Sequence, residues 1–244
     1  MKLQYFSDIH LEFLNSTFGI SRCIQNKAPI LLLPGDIGNP RLPLYEEFLS
    51  KVSGNFEKIF LIAGNHEFYH GSVESTEQMI RSICKNYENI VFLQNSFEDY
   101  KGYRFVGSTF WSEISNDEYL TNDFRMIDNF TINENNRLHF DAKAFVKKML
   151  LESPFPIIML SHHLPSNQIV DPFYKKYENY QQCFSSNSDE LIRFPIHSWV
   201  YGHTHRPYRG SINGVNLYCN PIGFRGENRK KNYNVTFELP DLAT

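Results

Sequence analysis

The chain has 244 residues, of which 41% are hydrophobic and 21% charged, and a formal net charge of −3. That composition fits a globular protein long enough to bury a substantial core, and it speaks against a broad basic surface for extended nucleic acid. Four scattered cysteines (Cys23, Cys84, Cys183, Cys219) form no Cys-x-x-Cys pair, so neither a disulfide framework nor a zinc knuckle is expected, and the setting they fit is cytoplasmic.

The amino terminus reaches Asp8 after only a few apolar residues, so no signal peptide is expected. No apolar stretch approaches the ~20 residues that span a bilayer, which predicts no membrane partner. Along the chain, five short apolar runs end in metal-type residues. Leu3 to Phe6 leads into Asp8 and His10, Ile30 to Leu33 into Gly35-Asp36, and Ile59 to Ile62 into Gly64-Asn65-His66-Glu67. Ile157 to Leu160 leads into His162, and Trp199 to Tyr201 into Gly202-His203-Thr204-His205. Such runs, bounded by Gly, Pro or Asn, read as buried strands, and ligands of open α/β sheets collect beyond the carboxyl ends of strands.

Between them, Leu44 to Val52 and Val73 to Ile83 have helical spacing, so the first third predicts a layered α/β fold with a partly parallel sheet. Ile90 to Leu93, Phe97 to Tyr100 and Arg104 to Val106 read as short strands with a hairpin at Lys101-Gly102. Ala142 to Leu151 reads as a helix, ended by Pro154 and Pro156. The segment at about 165–186 has no clear period and reads as a lid-like loop, with Phe173 to Tyr180 either packing its rings onto the body or stacking a nucleobase. Ile212, Val215 to Tyr218 and Val235 to Phe237 read as strands, the first two joined at Asn213-Gly214. Residues 1–244 are expected to form one domain with two packed sheets.

The candidate ligands are Asp8, His10, Asp36, Asn65, His162, His203 and His205. Two carboxylates, one amide oxygen and four imidazoles suit intermediate ions, Mn²⁺ first, with Fe, Zn²⁺ or Ni²⁺ as alternatives. Seven ligands exceed one ion and suffice for two, ~3.5–4 Å apart, if one carboxylate bridges. With a bridging hydroxide as nucleophile, such a centre keeps a residual positive charge that attracts phosphate. His66 is expected at the rim, donating a proton to the leaving oxygen or steadying the charge on phosphorus, and Glu67 behind it, orienting an imidazole.

Together, Asp8-Ile9-His10, Gly35-Asp36, Gly64-Asn65-His66-Glu67, His162 and Gly202-His203-Thr204-His205 resemble the five ordered motifs of calcineurin-like metallophosphoesterases. The resemblance implies a four-layer α/β/β/α sandwich of two mixed sheets flanked by helices, with the metals at the carboxyl ends of the strands. It also implies that Asp8, His10, Asp36 and His205 hold one ion, and that Asp36, Asn65, His162 and His203 hold the other. Ile37-Gly38-Asn39-Pro40 departs from the protein Ser/Thr phosphatase branch, which carries a further Asp and Arg-Gly there, and His66-Glu67 departs from the Arg-Asp of lipid A precursor pyrophosphatases.

Alone, an Asp-x-His reads as a turn cap and Gly-His-Thr-His reads equally as a metal site or part of a solvated strand; the ordered set carries the reading. His163, Trp111 and Arg225 are candidate substrate contacts, while His70, His139 and His197 read as surface or structural. The expected function is hydrolysis of a phosphate mono- or diester on a small substrate, a nucleotide among the candidates. A nuclease or cyclic-nucleotide phosphodiesterase using the same centre is the enzymatic alternative, and a non-catalytic metal-binding scaffold is the alternative from another class.

Overall fold

In a computed structural model, residues 1–115, 121–172, 181–227 and 231–240 are described. The chain runs β1 (Lys2–Tyr5), α1 (Phe18–Cys23), β2 (Ile30–Pro34), α2 (Pro43–Ser53), β3 (Lys58–Ile62), α3 (Val73–Cys84) and β4 (Ile90–Phe92). It continues through β5 (Ser96–Tyr100), β6 (Tyr103–Ser108), α4 (Asp123–Met126), α5 (Ile132–Glu152), β7 (Ile157–Ser161) and β8 (Ile196–Tyr201). β9 (Tyr208–Ile212), β10 (Val215–Cys219) and β11 (Thr236–Glu238) follow.

These strands make two mixed sheets. The first is ordered β11-β1-β2-β3-β4, parallel except for the antiparallel edge strand β11. The second is ordered β5-β6-β7-β8-β10-β9, with a parallel centre and an antiparallel strand at each edge. β2 and β7 are buried at every residue because both of their faces are covered. Alternate side chains take different layers. Leu31, Leu33 and Leu61 pack outward with Phe48, Leu49 and Val52 of α2, while Leu32, Phe60 and Ile62 face the second sheet. There they meet Phe105, Ile158, Leu160 and Val200, with the rings of Phe60 and Phe105 stacked at 3.9 Å. On the far side, Val146, Met149 and Leu150 of α5 cover Met159 and Trp199. The result is helices, sheet, sheet, helix. Each fully buried Leu, Val or Phe contributes roughly 1.5–3 kcal/mol.

The two predicted hairpins form, and their backbones explain the sequence. Lys101 and Gly102 have φ of 49° and 78°, and Asn213 and Gly214 of 51° and 80°. Both central residues are left-handed, as the strand twist favours.

α5 begins ten residues before the predicted Ala142. Its first turns carry Asn133, Asn135 and Asn136, weak helix formers that hide the period. Tertiary bonds hold them in place. The Thr131 hydroxyl accepts from Glu134 N at 3.2 Å, Asn135 Nδ2 donates to Ser112 O at 2.8 Å, and His139 Nδ1 donates to Trp111 O at 2.6 Å. His139 is accordingly structural.

Within the segment predicted as lid-like, residues 173–180, and with them the aromatic run, lie outside the described residues. The two ends of the segment are stitched together. Leu164 N donates to Phe184 O at 3.0 Å, Ser186 N to Leu164 O at 2.8 Å and Ser188 N to Pro165 O at 2.7 Å. All four cysteines are free thiols. Among the described residues no helix is long and apolar enough to cross a membrane.

Candidate metal centre

All seven candidate ligands follow carboxyl ends of strands: β1, β2 and β3 in the first sheet, β7 and β8 in the second. The chain must turn sharply there, and five of the seven turn through the left-handed region. Asp8 has φ 54°, His10 54°, Asp36 51°, His203 68° and His205 49°. Non-glycine residues held this way store strain of order 1–3 kcal/mol each, a feature concentrated at functional sites. Cross-loop bonds sustain it: Asp8 N donates to Gly35 O and His10 N to Asp36 O, both at 3.1 Å. The motif glycines admit close approach. A Cβ on Gly64 would lie 2.2 Å from Asp36 Oδ1, and one on Gly202 would lie 2.9 Å from Asp8 Oδ2.

The side chains converge in two groups that share Asp36. Asp8, His10, Asp36 and His205 place one ligand atom each within 4.8 Å of one another, and so do Asp36, His162 and His203. Asn65 joins the second group through Oδ1, 3.1 Å from His162 Nε2.

The donor chemistry fits a cation in each. His162 Nδ1 donates to Pro34 O at 2.9 Å, so in the neutral ring Nε2 carries the lone pair. That lone pair faces two oxygens, Asn65 Oδ1 and, at 3.3 Å, Asp36 Oδ2. Asn65 is oriented by its amide, which donates to Asp123 Oδ1 at 2.8 Å. On the other side, His10 Nδ1 donates to Glu12 Oε1 at 3.1 Å and His205 Nδ1 to Glu227 Oε2 at 2.7 Å. Their Nε2 atoms then face each other at 3.0 Å. Converging lone pairs repel unless a proton or a cation lies between them. A third group, His10, Glu12 and His66, is already closed by hydrogen bonds from both rings to Glu12 Oε1.

Without ions the charges polarise one another. Burial opposes ionisation of Asp36, yet the imidazoles of His162 and His66 hold its carboxyl well below the usual range. Burial likewise opposes ionisation of Asp8, which His205 nonetheless keeps lowered. Against their own burial, His162 is pushed up to about 9 by Asp36, and His205 to about 9 by Asp8 and Glu227. Burial and the neighbouring His162 push His203 down to about 3.

Glu67 takes a different role from the expected one. Its carboxylate accepts from four backbone amides, Gly64 N at 2.7 Å, Ile37 N at 2.8 Å, Asp36 N at 2.9 Å and Gly38 N at 3.3 Å. It clasps the β2 and β3 loops around Asp36 rather than orienting an imidazole. Burial and the Asp36 charge push its carboxyl up to about 8, against the pull of those amides.

A cavity of about 220 Å³ opens over the centre, lined among others by Asp36, Asn65, His66, His203, His205 and Phe224. His66 sits at its wall as expected, with Nδ1 on Glu12 Oε1 at 2.9 Å and its backbone N–H on Asp36 Oδ1 at 2.9 Å. Although burial works against its charge, Asp36 and Glu12 raise the His66 pKa.

Two of the three candidate substrate contacts lie elsewhere. Trp111 is a core residue, 2% exposed, packed on Phe130 at 4.8 Å and Phe68 at 5.9 Å. His163 is buried behind His203, with ring centroids 4.3 Å apart, and packs at a tilt against Trp111 at 4.9 Å. The third, Arg225, is exposed, and the cavity lining passes through Phe224 and Glu227 on either side of it. Glu12, Asp123 and Glu227, which orient His10, Asn65 and His205, are the residues sequence reasoning missed. Only Glu12 stood near a motif.

A carboxylate shared by two imidazole-rich groups, at the carboxyl edge of an α/β/β/α sandwich, defines a metal-dependent hydrolase acting on ester bonds. The chain belongs to the calcineurin-like phosphoesterase family, whose model matches residues 1–207. Uncharacterized protein L509 of Acanthamoeba polyphaga mimivirus is 30% identical, over 98% of this chain and 97% of the relative. Among solved structures, the phosphopantetheinyl hydrolase PptH from Mycobacterium tuberculosis has a TM-score of 0.76 at 18% identity, covering 100% of this chain and 98% of its own. TT1561 of Thermus thermophilus has a TM-score of 0.61 at 12% identity, covering 90% of this chain and 88% of its own. At these identities the two solved structures are alike in fold.

Proposed function

We propose that the protein hydrolyses a small phosphate mono- or diester, with Asp8, His10, Asp36 and His205 holding one ion and Asp36, Asn65, His162 and His203 the other. The observation that carries this reading is the position of Asp36 in both ligand groups. Two divalent ions, Mn²⁺ first among the candidates, supply Lewis-acid polarisation of the phosphoryl oxygens and activation of water. The residues do the rest. With only two carboxylates among the seven ligands, the centre keeps a positive charge for an anionic substrate. Glu12 holds His66 by Nδ1, so that the ring's other nitrogen serves the cavity. As oxygen from water bonds to phosphorus and the bond to the leaving oxygen breaks, that oxygen takes its proton from His66.

The cavity of about 220 Å³ supports a small substrate over an extended polynucleotide. The name of the structural neighbour PptH adds a phosphopantetheinyl ester to the substrates worth assaying. The test is a panel with Mn²⁺: an aryl monoester, an aryl diester, cyclic nucleotides, a phosphopantetheinyl ester and single-stranded DNA. Turnover of the small esters is expected, and His66→Ala should slow it by ~10²–10⁴ with metal content unchanged. Preferential cleavage of DNA would replace this reading with the nuclease one. No turnover of any substrate by metal-loaded protein would leave the scaffold.

A further inference from the structure

Phe224, which lines the cavity, and Phe13 beside it belong to none of the hydrophobic core clusters. Phe13 is 64% exposed and Phe224 37% exposed, and their ring centroids lie 5.5 Å apart at 74°. Exposed rings forgo the burial that stabilises a fold, so two that meet beside a cavity need a reason.

Both are anchored through the backbone. Phe13 closes the 3-10 turn Leu11–Phe13, whose first residue is buried and donates its backbone N–H to Ile37 O at 2.9 Å. The backbone N–H of Phe224 donates to Glu227 Oε2 at 2.7 Å, the same oxygen that receives His205 Nδ1. The Phe224 ring is tilted over His10 at 4.3 Å and meets His205 edge-on at 4.6 Å. His66 is nearly equidistant from the two phenylalanines, with centroids 6.2 Å from Phe13 and 6.1 Å from Phe224. On the opposite side of the centre, Phe184 stands beside His203 instead. The lining residues Leu164 and Val170 are buried, so the exposed rings beside the cavity stand on the side where a departing oxygen would take its proton.

We propose that Phe13 and Phe224 form a leaving-group platform, so that the preferred substrate is a phosphoester whose departing alcohol carries a planar ring. This rests on the hydrolytic reading above, which assigns His66 to the leaving oxygen. Two edges set at 74° make an L-shaped seat, in which a ring can stack on one face and meet the other edge-on, the geometry aromatic pairs prefer. Because Glu227 and the Leu11 anchor tie down the backbone that carries the two rings, the freedom lost when a ring settles there is confined to side chains.

Non-hydrolysable probes test the platform apart from turnover. Benzylphosphonate and ethylphosphonate present the same anionic head, with and without a ring. Calorimetric titration of Mn²⁺-loaded protein should give roughly tenfold tighter binding of benzylphosphonate, the scale of one stacked ring. Phe13→Ala should bring the two affinities together, and Phe13→Trp should keep them apart. Equal affinities on the wild-type protein, or an equal loss for both probes in Phe13→Ala, would overturn the platform. Ester hydrolysis without ring preference overturns it alone. Ring preference in a protein that hydrolyses no phosphoester keeps the ring seat and overturns the hydrolytic reading.

Discussion

Glu12 accepts from His66 Nδ1 at 2.9 Å with the same oxygen, Oε1, that receives His10 Nδ1 at 3.1 Å. One carboxylate therefore sets the tautomer of an expected metal ligand and of the expected proton donor together. Its other oxygen is buried and has no hydrogen-bond partner among the described residues, where the polar commitment of Glu12 is to these two rings. Glu12→Ala is expected to lower activity or Mn²⁺ affinity by ~10–100-fold, the usual range for a residue that orients a ligand. Glu12→Gln should recover part of the loss, since its amide oxygen still accepts. Kinetics at saturating Mn²⁺, with a parallel metal titration, separate the two effects. Wild-type values in both variants would remove Glu12 from the site.

Gly64 offers a steric test. A Cβ there would sit 2.2 Å from Asp36 Oδ1 and 2.7 Å from His162 Cε1, contacts that real structures do not show. A third contact, 2.6 Å to the backbone N of Asp36, means that Gly64→Ala must shift the β2 loop itself, so it should bind much less metal and lose stability as well. Metal analysis after Mn²⁺ loading, alongside circular dichroism, gives the answer. Full metal content with a native spectrum would contradict the close approach.

In the proposed centre, protons would compete with the ions for His162 and His205. Both are pushed up to about 9 in the ion-free protein, so at neutral pH each ring is protonated and must release a proton to ligate. Mn²⁺ affinity should therefore rise as pH increases from about 6 towards about 9. Without ions the sign reverses for stability: a raised histidine pKa contributes stability that is full below the unfolded value of about 6.5 and lost as pH passes through about 9. Titrations of Mn²⁺ at about pH 6, 7.5 and 9 would show the trend. A flat affinity profile would mean that neither ring ligates.

His139 is a buried histidine away from the centre. Burial lowers its pKa, while the hydrogen bond to Trp111 O pulls the other way. The unfolded state then takes up a proton that the folded state refuses. Its stabilising contribution is complete above the unfolded pKa and falls as pH drops below about 6.5, by at most about 1.4 kcal/mol per pH unit. Chelator-treated wild type should lose more stability than His139→Gln between about pH 7 and about 5.5, in urea unfolding followed by circular dichroism. Parallel profiles would refute the assignment.

Much of this architecture is legible in the sequence because parallel strands covered on both faces must be continuous apolar runs. Ile30 to Leu33 and Ile157 to Leu160 therefore announce themselves, and the ligands stand just beyond their ends. The first ten residues of α5 do not. Asn133, Asn135 and Asn136 weaken the helical signal, and the Thr131 cap and bonds to the 111–115 loop hold those turns in place. Trp111 misleads for a related reason: a large aromatic beside a motif reads equally as pocket wall or core, and burial alone decides.

The sequence by itself determined which atoms gather at the centre, because ligand identity is a property of residue type and of order along the strands. Tertiary structure decided how those atoms are aimed. Glu227 reaches His205 across 22 residues, Asp123 reaches Asn65 across 58, and Glu67 spends its carboxylate on backbone amides near Asp36. No local pattern encodes such pairings, since they depend on where separate loops come to rest at one edge of two facing sheets.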